Sequence, residues 1–520
     1  MSQTIERAND EITGKARRWS HNWQSRWSHH PGKISSHRSH AHGRRQLLRK
    51  AAAALTALGV TPEAHVMIAL PPGQLLAEAV YGCFYLGAVP AFLDPTTDPV
   101  TLSRCLDELD PAAILADHPI PGGRHVVTSV EFQSFSDVAV DGGTPWEGYI
   151  AESTVMLMYT SGTTGLPKGA EWTWDNIASQ LELYQERSAA SEFILFPLFS
   201  LNAIATGCRA IFPNFPTFAP RSIDLSDLIT QVDAHRAEFL FASPALWRRY
   251  LDHIAAGGEG FTRPPITIAT AGAAIGRNLV SALKTEFNDS SIEIPYAATE
   301  GLMPLTKITA TAFLEQTTAW PIAQHGVPLG SPCRDVNVAI IDPGRIFGAE
   351  PATAADFLPE DMVGEIVISG RRTSPAYFGR ADSNSYAKFH DTKGTLWHRM
   401  GDIGHIHDGA LWLRCRKKDL ATLPHGGALY PDQIEQRIND GIGSQVCAAI
   451  VADGRLTIVL PSTDPITSCG ESELAVAIAQ LGVEARVIIL NGTLPVDSRH
   501  NSKIDRTALG QVLARPLESA

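Results

Sequence analysis

The chain has little cysteine and no long apolar run, and both shortages narrow what it can be. Its seven cysteines form no C-x-x-C pair, so neither a disulfide framework nor a zinc site is indicated. No apolar stretch approaches the length of a transmembrane helix, and the first residues lack the charged-then-apolar pattern of a signal peptide. These absences predict a cytoplasmic protein with reduced thiols.

Basic charge is also in short supply. The chain has 43 Lys and Arg against 55 Asp and Glu, a formal net charge of -12. Phosphate backbones attract basic surfaces, so this balance argues against nucleic-acid binding as the main task. A length of 520 residues exceeds the size at which one hydrophobic core stops growing, and two or more domains are therefore expected.

Strand-like and helix-like patterns alternate along the chain. Residues 66–70 are typical of a strand, residues 74–86 of a helix and residues 88–93 of a second strand. Such alternation predicts an α/β fold in which helices cover mixed or parallel sheets. Near the C-terminus, short strands are predicted again at residues 446–451, 456–460 and 485–490, which suggests a second, smaller α+β domain.

The first 45 residues are unusual in composition. Trp19, Trp23 and Trp27 recur every four residues and would line one face of a helix. That face either packs on the protein's own domain or docks a pathway enzyme or a membrane surface. The histidines of this segment show no H-E-x-x-H spacing, so a catalytic metal site is not favoured.

A glycine- and threonine-rich stretch is the most informative feature of the chain. Residues 159–169 read Tyr-Thr-Ser-Gly-Thr-Thr-Gly-Leu-Pro-Lys-Gly and follow an apolar, strand-like run. Glycines let backbone N–H groups approach phosphate oxygens, hydroxyls donate further hydrogen bonds, and Lys168 offsets anionic charge. A Walker loop needs Lys-Ser/Thr opening a helix, whereas residues 171–174 alternate like a strand. The stretch predicts a phosphate-binding loop of another kind.

This stretch resembles the signature of adenylate-forming enzymes, a superfamily of acyl-CoA synthetases, peptide-synthetase adenylation domains and luciferases. The resemblance implies activation of a carboxylate by ATP and Mg²⁺ as an acyl-adenylate, with release of pyrophosphate. It also implies a large N-terminal domain (residues 46–417) and a small mobile C-terminal domain (residues 418–520), with residues 1–45 as an atypical N-terminal segment. The residues that it assigns to the triphosphate are Thr160, Ser161, Gly162, Thr163, Thr164, Gly165 and Lys168.

A second motif resembles the family's Y-G-x-T-E. Residues 296–300 read Tyr-Ala-Ala-Thr-Glu, and the resemblance implies that Tyr296 stacks on adenine and Thr299 contacts the α-phosphate. It implies that Glu300 binds Mg²⁺, a hard cation that carboxylates suit. Ala297 replaces the usual glycine, a mild departure that would narrow the acyl tunnel.

Two further stretches resemble parts of the nucleotide site. Residues 271–274 resemble the loop that runs along adenine and the acyl group, which implicates Gly272, Ala273 and Ala274. Asp402 lies in a segment that resembles the T-G-D motif, whose aspartate accepts hydrogen bonds from both ribose hydroxyls. Met400 stands where the family has threonine.

The C-terminal part supplies the hinge and the last catalytic motif. Residues 416–419 resemble the family's G-R-x-K-D, with Cys415 where glycine is usual; Arg416 would reach the ribose and Lys418 would be the hinge. Lys503 resembles the late catalytic lysine, whose ammonium bridges carboxylate and α-phosphate oxygens during adenylation. The resemblance thus assigns catalysis to Lys503, Thr299, Glu300 and Lys168.

The tail is similar to one branch of the family. Most members have proline, a short spacer and Gly-Lys, but residues 495–504 follow the pattern P-V-D-x-R-H-N-x-K-I. This pattern resembles the β-lactone synthetases of bacterial olefin and β-lactone natural-product pathways, as do residues 196–201, 241–246 and 398–402. The implied reaction is adenylation of a β-hydroxy acid, followed by attack of its own β-hydroxyl on the activated carbonyl.

Other functions stay open at this point. An acyl-CoA synthetase, or an adenylation enzyme that passes the acyl group to a carrier protein or an amine, would share the first half-reaction. A non-catalytic scaffold of the same family would bind a pathway partner through the N-terminal segment. ATP-dependent release of pyrophosphate would separate the scaffold from the enzymes.

The acyl pocket and the base that serves the hydroxyl are the least predictable parts. Position relative to the motifs suggests an acyl pocket lined by Phe199, Asn202, Trp247, Ala273 and Met303. Two histidines lie near the nucleotide motifs, at positions 398 and 405, and the sequence does not choose between them as a base. The Arg-Arg pair at positions 371 and 372 either recognises a second carboxylate or forms a solvated loop.

Overall fold

The computed structural model describes residues 41–94, 97–138, 145–160, 166–187, 189–215, 223–273, 275–319, 321–348, 350–422, 428–442, 447–452, 455–462, 475–476, 478–479, 484–495 and 504–514. The tryptophans of the N-terminal segment lie outside these residues, as do all its histidines except His42, which stands in the first helix. The predictions made for that segment therefore stay predictions.

The first half of the chain builds a six-stranded sheet with the strand order β4-β3-β1-β2-β5-β6. Its elements are α1 (Ala41–Ala57), β1 (His65–Ala69), α2 (Gln74–Leu86), β2 (Val89–Phe92), α3 (Pro99–Leu109), β3 (Ala113–Ala116), β4 (Val126–Val127), α4 (Ser129–Val138), β5 (Thr154–Tyr159) and β6 (Gly169–Thr173). All pairs are parallel except β5 with β6. β1 and β3 are almost continuously buried, as expected where helices cover both faces of a parallel sheet.

A second sheet, of 12 strands, follows in the chain. Its first part is α5 (Trp174–Gln185), β7 (Ser191–Phe193), α6 (Pro197–Thr206), β8 (Arg209–Ile211), α7 (Leu225–His235), β9 (Phe239–Ala242), α8 (Pro244–Ala255), β10 (Thr267–Thr270), α9 (Arg277–Glu286), β11 (Ser291–Ala298) and β12 (Gly301–Thr309). Strands β7 to β11 pair in parallel, and β12 turns the sheet antiparallel.

The antiparallel part of this sheet completes the frame around the site. Its elements are α10 (Ala310–Ala319), α11 (Ile322–His325), β13 (Val327–Pro332), β14 (Val336–Ile341), β15 (Gly364–Gly370), α12 (Ala381–Ala387), β16 (Lys388–His390), β17 (Leu396–His407) and β18 (Ala410–Arg416). The strand order runs β14-β15-β17-β18-β13-β12-β11-β10-β9-β7-β8, with β16 paired to β17.

A short segment after β15 joins the two sheets. Thr373 bridges Gly301 at the start of β12, and Tyr377 bridges Ala170 on β6. Backbone hydrogen bonds from Ser374 N to the Glu300 carbonyl (2.8 Å) and from Phe378 N to the Gly169 carbonyl (2.8 Å) hold the same segment. Elements far apart in sequence therefore meet at one point.

After β18 comes a smaller set of elements. A 3₁₀ turn (Lys417–Asp419) leads to β19 (Ala421–Thr422), β20 (Ala428–Leu429), α13 (Pro431–Ile442), β21 (Ala448–Ala452), β22 (Arg455–Pro461), β23 (Ala485–Leu490) and α14 (Arg506–Ala514). β21, β22 and β23 form their own three-stranded sheet with a separate hydrophobic cluster. α13 contacts the large sheet region, where the Gln433 side chain donates to the Ile322 carbonyl at 3.3 Å.

The predicted α/β class is confirmed. The helix predicted at residues 74–86 has those bounds, and the strand predicted at residues 66–70 is displaced by one residue. Gly87 ends α2 in the left-handed region, with φ 88°, and its N–H bonds the Cys83 carbonyl, as C-terminal glycines of helices do. In the described part of the chain no helix has the length and apolar character to cross a membrane, and no disulfide joins the cysteines there.

Candidate active site

One large cavity lies where the two sheets and the C-terminal elements meet. Its volume is about 1560 Å³, and its walls include side chains from β6, α5, α6, β11, β12, β17, β18 and α13. Most of the described residues that carry the sequence motifs line this single space.

The ends of the glycine- and threonine-rich loop are fastened together. Thr160 N donates to the Lys168 carbonyl at 2.9 Å, and Lys168 N donates to the Thr160 hydroxyl at 3.3 Å. These bonds continue the antiparallel pairing of β5 with β6, in which Tyr159 faces Gly169. Residues Ser161 to Gly165 lie outside the described residues, but their two anchors, Thr160 and Lys168, line the cavity.

Glu300 is held at the entrance to β12 by a tyrosine. The Tyr377 hydroxyl donates to Glu300 Oε1 at 2.5 Å, and burial together with this carboxylate raises the pKa of the phenol. The preceding Thr299 carbonyl accepts a hydrogen bond from the Trp172 indole N–H at 2.9 Å. The contact with Tyr377 leaves Glu300 Oε2 as the oxygen available to a ligand.

Two lysines approach the ring of the same tyrosine. Lys168 Nζ lies 5.2 Å and Lys388 Nζ 5.5 Å from the Tyr377 ring centroid, within the range of cation–π attraction. Lys388 also donates to the Ser374 carbonyl at 2.5 Å. Burial lowers the pKa of Lys388 to about 8, although the negative charges of Glu300 and Glu171 oppose that shift.

The two histidines near the motifs have different surroundings. His398 on β17 lines the cavity, packs edge-on against Tyr377 with the ring centroids 6.1 Å apart, and is 2% exposed. Burial lowers its pKa well below the usual value, and the charges of Lys388 and Lys168 add to that shift. His405 stacks on Trp412 instead, with the centroids 6.2 Å apart, and is not among the cavity-lining residues; burial lowers its pKa to about 4.

The predicted ribose site forms a chain of polar contacts. Tyr296 Oη donates to Asp402 Oδ2 at 2.6 Å, and Arg416 Nη1 lies 2.9 Å from Asp402 Oδ1. Burial raises the pKa of the Tyr296 phenol well above its usual value, with the Asp402 carboxylate as the second cause. Gly401 precedes the aspartate with φ 66°, a left-handed conformation that glycine adopts without strain.

The neighbouring loop residues lie in the same space. Gly272 and Ala273 line the cavity, as do Ala297 and Met400, while Ala274 falls outside the described residues. Gly272 has φ 97°, and a Cβ atom there would meet nothing within 4 Å. The backbone conformation rather than crowding therefore favours glycine at this position.

The C-terminal elements close the cavity on one side. Lys418 lies in the 3₁₀ turn and lines the cavity, as do Ile504 and Arg506. Lys503 itself lies outside the described residues. Arg506 holds three acids around the turn, at 3.1 Å, 2.7 Å and 2.6 Å, namely Asp419, Asp432 and Glu435.

One arm of the cavity, predicted to hold the acyl group, is mainly apolar. Phe199, Asn202 and Met303 line it as predicted, and Phe199 packs edge-on against Phe241 at 4.9 Å. Gln180 donates to the Met303 carbonyl at 2.9 Å, which occupies its amide group. Other residues that line the arm lie on α2, β5, α5 and α6, namely Tyr81, Phe84, Met156, Met158, Leu181 and Leu198.

Trp247 is placed differently from the prediction. It is 2% exposed, belongs to the large core cluster and is absent from the cavity wall. Its indole N–H donates to the Ala269 carbonyl at 3.3 Å, and its ring packs on Phe287. The amphipathic helix α8 turns its apolar face, with Trp247, toward the core.

The paired arginines do not reach the cavity either. Arg371 is bound by Asp175 at 2.6 Å and Glu182 at 3.0 Å. Arg372 is fully buried and donates to the Arg334 carbonyl at 2.6 Å. A solvated loop is therefore wrong for Arg372, and neither guanidinium is placed to meet a second carboxylate of a ligand in this cavity.

The sequence motifs did not single out Tyr377, Lys388 or Glu365. Glu365 is buried between Arg399, with its Nε at 3.0 Å, and Lys417, with its Nζ at 2.9 Å, and it also lines the cavity. Each of these residues is separated in sequence from the partners that it binds, so local patterns carry no sign of the contact. A polar residue inside an otherwise apolar strand, such as Glu365 in β15, is the one local signal available.

The donor set fits a divalent cation held mostly by a ligand. In the part of the chain that the structure describes, no group of three or more His, Cys, Asp or Glu side chains could hold a metal ion. Mg²⁺ is commonly bound by one or two carboxylates together with substrate phosphates and waters. Glu300, with one oxygen available beside Lys168, meets that requirement.

Comparison with known proteins agrees with this geometry. The family model described as "AMP-binding enzyme" matches residues 43–378. The chain is 26% identical to an olefin β-lactone synthetase of Stenotrophomonas maltophilia, over 90% of each chain, and 28% identical to one of Xanthomonas campestris, over 88% of each.

Solved structures give the same fold. O-succinylbenzoate coenzyme A synthetase from Bacillus subtilis, in complex with ATP and magnesium ion, superposes with a TM-score of 0.75 at 19% identity, covering 94% of this chain and 99% of that one. At this identity the likeness is one of fold. It covers the large sheets and the C-terminal elements together.

Proposed function

We propose that this chain, which belongs to the AMP-binding enzyme family, closes β-lactones from β-hydroxy carboxylic acids. As an AMP-forming ligase it uses ATP and Mg²⁺ to activate a carboxylate as an acyl-adenylate. The finer assignment rests on one observation: the similarity to two olefin β-lactone synthetases extends over about 90% of both chains. The apolar arm of the cavity suits an aliphatic acid.

We propose a separate role in the first half-reaction, adenylation, for each of several residues around the cavity. The barrier is the approach of a carboxylate to an anionic phosphate, so positioning and positive charge should dominate. We assign Lys168 and the loop after Thr160 to the triphosphate, Thr299 to the α-phosphate and Glu300 Oε2 to Mg²⁺. Lys503, two residues before the cavity-lining Asp505, would supply a further positive charge.

We assign the nucleoside to the part of the cavity wall formed by Asp402 and its partners. Asp402, fixed by Tyr296 and Arg416, keeps lone pairs on both oxygens for the ribose hydroxyls. Tyr296, Gly272 and Ala273 would lie along the adenine. The bound Mg²⁺ would offset phosphate charge as the α-phosphate is attacked.

Ring closure would follow without a second substrate. The β-oxygen attacks the carbonyl carbon, the bond from that carbon to the phosphate oxygen breaks, and AMP leaves with the electron pair. Intramolecular attack replaces the binding of a thiol or an amine. We further propose the domain division 46–417 and 418–520, with Lys418 as the hinge, and a cytoplasmic location.

A thiol acceptor is the second candidate. It is favoured by the fold of a solved coenzyme A synthetase, which this chain matches over 94% of its length. In that case the small domain would move after adenylation to admit the thiol. Both candidates share the site described above, so the products must separate them.

The test is product analysis with the full-length chain, ATP and Mg²⁺. A panel of aliphatic β-hydroxy acids is incubated with and without CoA, and matched acids that lack the hydroxyl serve as controls. We expect AMP, pyrophosphate and a product one water lighter than the acid, in equal yield with and without CoA. The control acids should give no product that is one water lighter. Acyl product that forms only with CoA would refute lactone synthesis.

A further inference from the structure

Ring closure needs an acceptor for the hydroxyl proton, and most acids around the cavity are already engaged. Glu300 accepts from Tyr377, and Asp402 is bound by Tyr296 and Arg416. A carboxylate that holds a donor or a cation is a weaker proton acceptor, because these partners stabilise its charged form.

The remaining carboxylates of the cavity wall are also engaged. Glu365 is buried between two cations, and Arg506 binds Asp419, Asp432 and Glu435. Burial raises the pKa of Asp419, and that of Glu435 to about 8, although the charge of Arg506 opposes both shifts. Asp505 accepts from the Ala508 N–H at 3.0 Å, at the start of α14. In the described part of the wall, no carboxylate is therefore left without a partner.

His398 is the exception among the groups that can accept a proton. It lines the cavity, and within the described residues its buried Nδ1 has no hydrogen-bond partner. The backbone of Ala387 favours the protonated form of the ring, although the larger effect of burial opposes it. In a neutral imidazole one nitrogen carries the proton and the other a lone pair, so the unpartnered Nδ1 can accept a proton when Nε2 carries the ring proton.

We propose that His398 is the general base of ring closure and takes the β-hydroxyl proton on Nδ1. This inference rests on the proposed function. As the β-oxygen bonds to the carbonyl carbon, its proton moves to Nδ1 and the acyl–phosphate bond breaks, with the electron pair going to the AMP oxygen. The imidazolium then returns its proton to water. His405, placed against Trp412 and away from the cavity wall, has no part in this step.

The charges near His398 favour a neutral ring before reaction and an imidazolium as AMP leaves. Burial, and after it the charges of Lys388 and Lys168, lower the pKa of the ring and keep it neutral before reaction, so its lone pair is available at neutral pH. An acyl-adenylate brings one phosphate charge, and departing AMP gains a second. Proton transfer to the ring therefore coincides with growing negative charge nearby, which stabilises the imidazolium.

The test separates the two half-reactions. His398→Gln and His398→Asn are compared with wild type in a single turnover, following pyrophosphate, acyl-adenylate and lactone. We expect near-normal pyrophosphate release, accumulation of adenylate, and lactone formation slowed about 100-fold or more, the usual scale of general base catalysis. His405→Gln, the matched control, should cyclise at the wild-type rate.

Each alternative result has its own meaning. Lactone formed at the wild-type rate by either folded variant would overturn the role of His398. An equal fall in pyrophosphate release and lactone formation would also overturn it, since the histidine would then merely support Tyr377 and Glu300. If wild type makes no lactone from any β-hydroxy acid, the proposed function fails first. Thermal unfolding shows which of the two His398 variants is folded, and the rates of that variant decide whether His398 is the base.

Discussion

Glu300 illustrates how one carboxylate is prepared for a ligand. Its Oε1 is bound by the buried Tyr377 phenol, and Lys168 lies against the same aromatic ring. A free glutamate would sample several rotamers, whereas the bond from Tyr377 to Oε1 restricts the orientation of Glu300 on the cavity wall. The loss of side-chain entropy has thus occurred before a ligand arrives.

Removing the Tyr377 hydroxyl should weaken the proposed binding of Mg²⁺ by Glu300. For Tyr377→Phe we expect the Mg²⁺ concentration for half-maximal pyrophosphate release to rise about tenfold, the value of one charged hydrogen bond, with activity recovering at high Mg²⁺. Tyr250→Phe is the matched control, because Tyr250 donates to Glu286 at 3.0 Å, outside the cavity wall. An unchanged Mg²⁺ dependence in Tyr377→Phe would contradict this positioning role.

Lys388 should impose a pH dependence on stability. Its pKa is lowered by burial to about 8, and an unfolded lysine keeps a pKa near 10.4, so between these values the unfolded chain binds more protons. Stability therefore rises with pH in that window, and the cost of burial is full below about pH 8.

Comparison with Lys388→Met isolates this contribution. Between about pH 7.5 and pH 10 the free energy of unfolding of wild type should gain roughly 2 kcal/mol relative to the variant, measured by thermal or denaturant unfolding. Lys307→Met, at a half-exposed ion pair with Glu293, is the control. A constant difference across this pH range would show that Lys388 titrates normally.

At the scale of secondary structure elements, glycines end two helices of the fold and let the chain turn there. Gly87 and Gly207 each follow a helix with a left-handed φ, 88° and 82°. They differ in their surroundings: a Cβ atom on Gly87 would lie 2.5 Å from the Trp146 ring, whereas on Gly207 it would meet nothing within 4 Å.

This pair separates backbone strain from steric clash. Gly207→Ala should cost about 1 kcal/mol through the left-handed conformation alone. Gly87→Ala should cost about 2 kcal/mol more because the Trp146 ring must shift. Denaturant unfolding of both variants measures the difference, and equal losses would mean that the ring yields freely.

Elements with local signals could be predicted from the sequence, and long-range contacts could not. The bounds of α2 follow from its apolar pattern and Gly87, and the site residues Tyr296, Asp402 and Arg416, linked by resemblance, do meet in the structure. The contact of Tyr377 with Glu300 spans 77 positions and depends on how two sheets are joined. Trp247 was assigned to the pocket because position near a motif does not indicate which way an amphipathic helix faces.

At the scale of the whole molecule, the question is whether the C-terminal elements must move. In this structure α13 contacts α11 through the bond from Gln433 to the Ile322 carbonyl, and Arg506 binds Asp419 in the turn that contains Lys418. A lactone route can finish in this arrangement, because the nucleophile is already part of the substrate. A thiol route requires an opening for the second substrate.

Stiffening the proposed hinge should therefore leave lactone formation largely intact. For Lys418→Pro we expect turnover with a β-hydroxy acid within about threefold of Lys418→Ala, the control for loss of the side chain. Product formation is followed over many turnovers. Normal adenylate formation with loss of lactone would mean that domain movement is required after all.

The central claim, attack of the β-hydroxyl on an adenylated carboxyl, is tested most directly by oxygen labelling. A β-hydroxy acid carrying oxygen-18 in both carboxyl oxygens is turned over with ATP and Mg²⁺, and AMP and lactone are analysed by mass spectrometry. The account predicts one labelled oxygen in AMP and one in the lactone, since the ring oxygen comes from the unlabelled hydroxyl. Lactone that keeps both labelled oxygens, with unlabelled AMP, would contradict it, because the hydroxyl rather than the carboxylate would then have been activated.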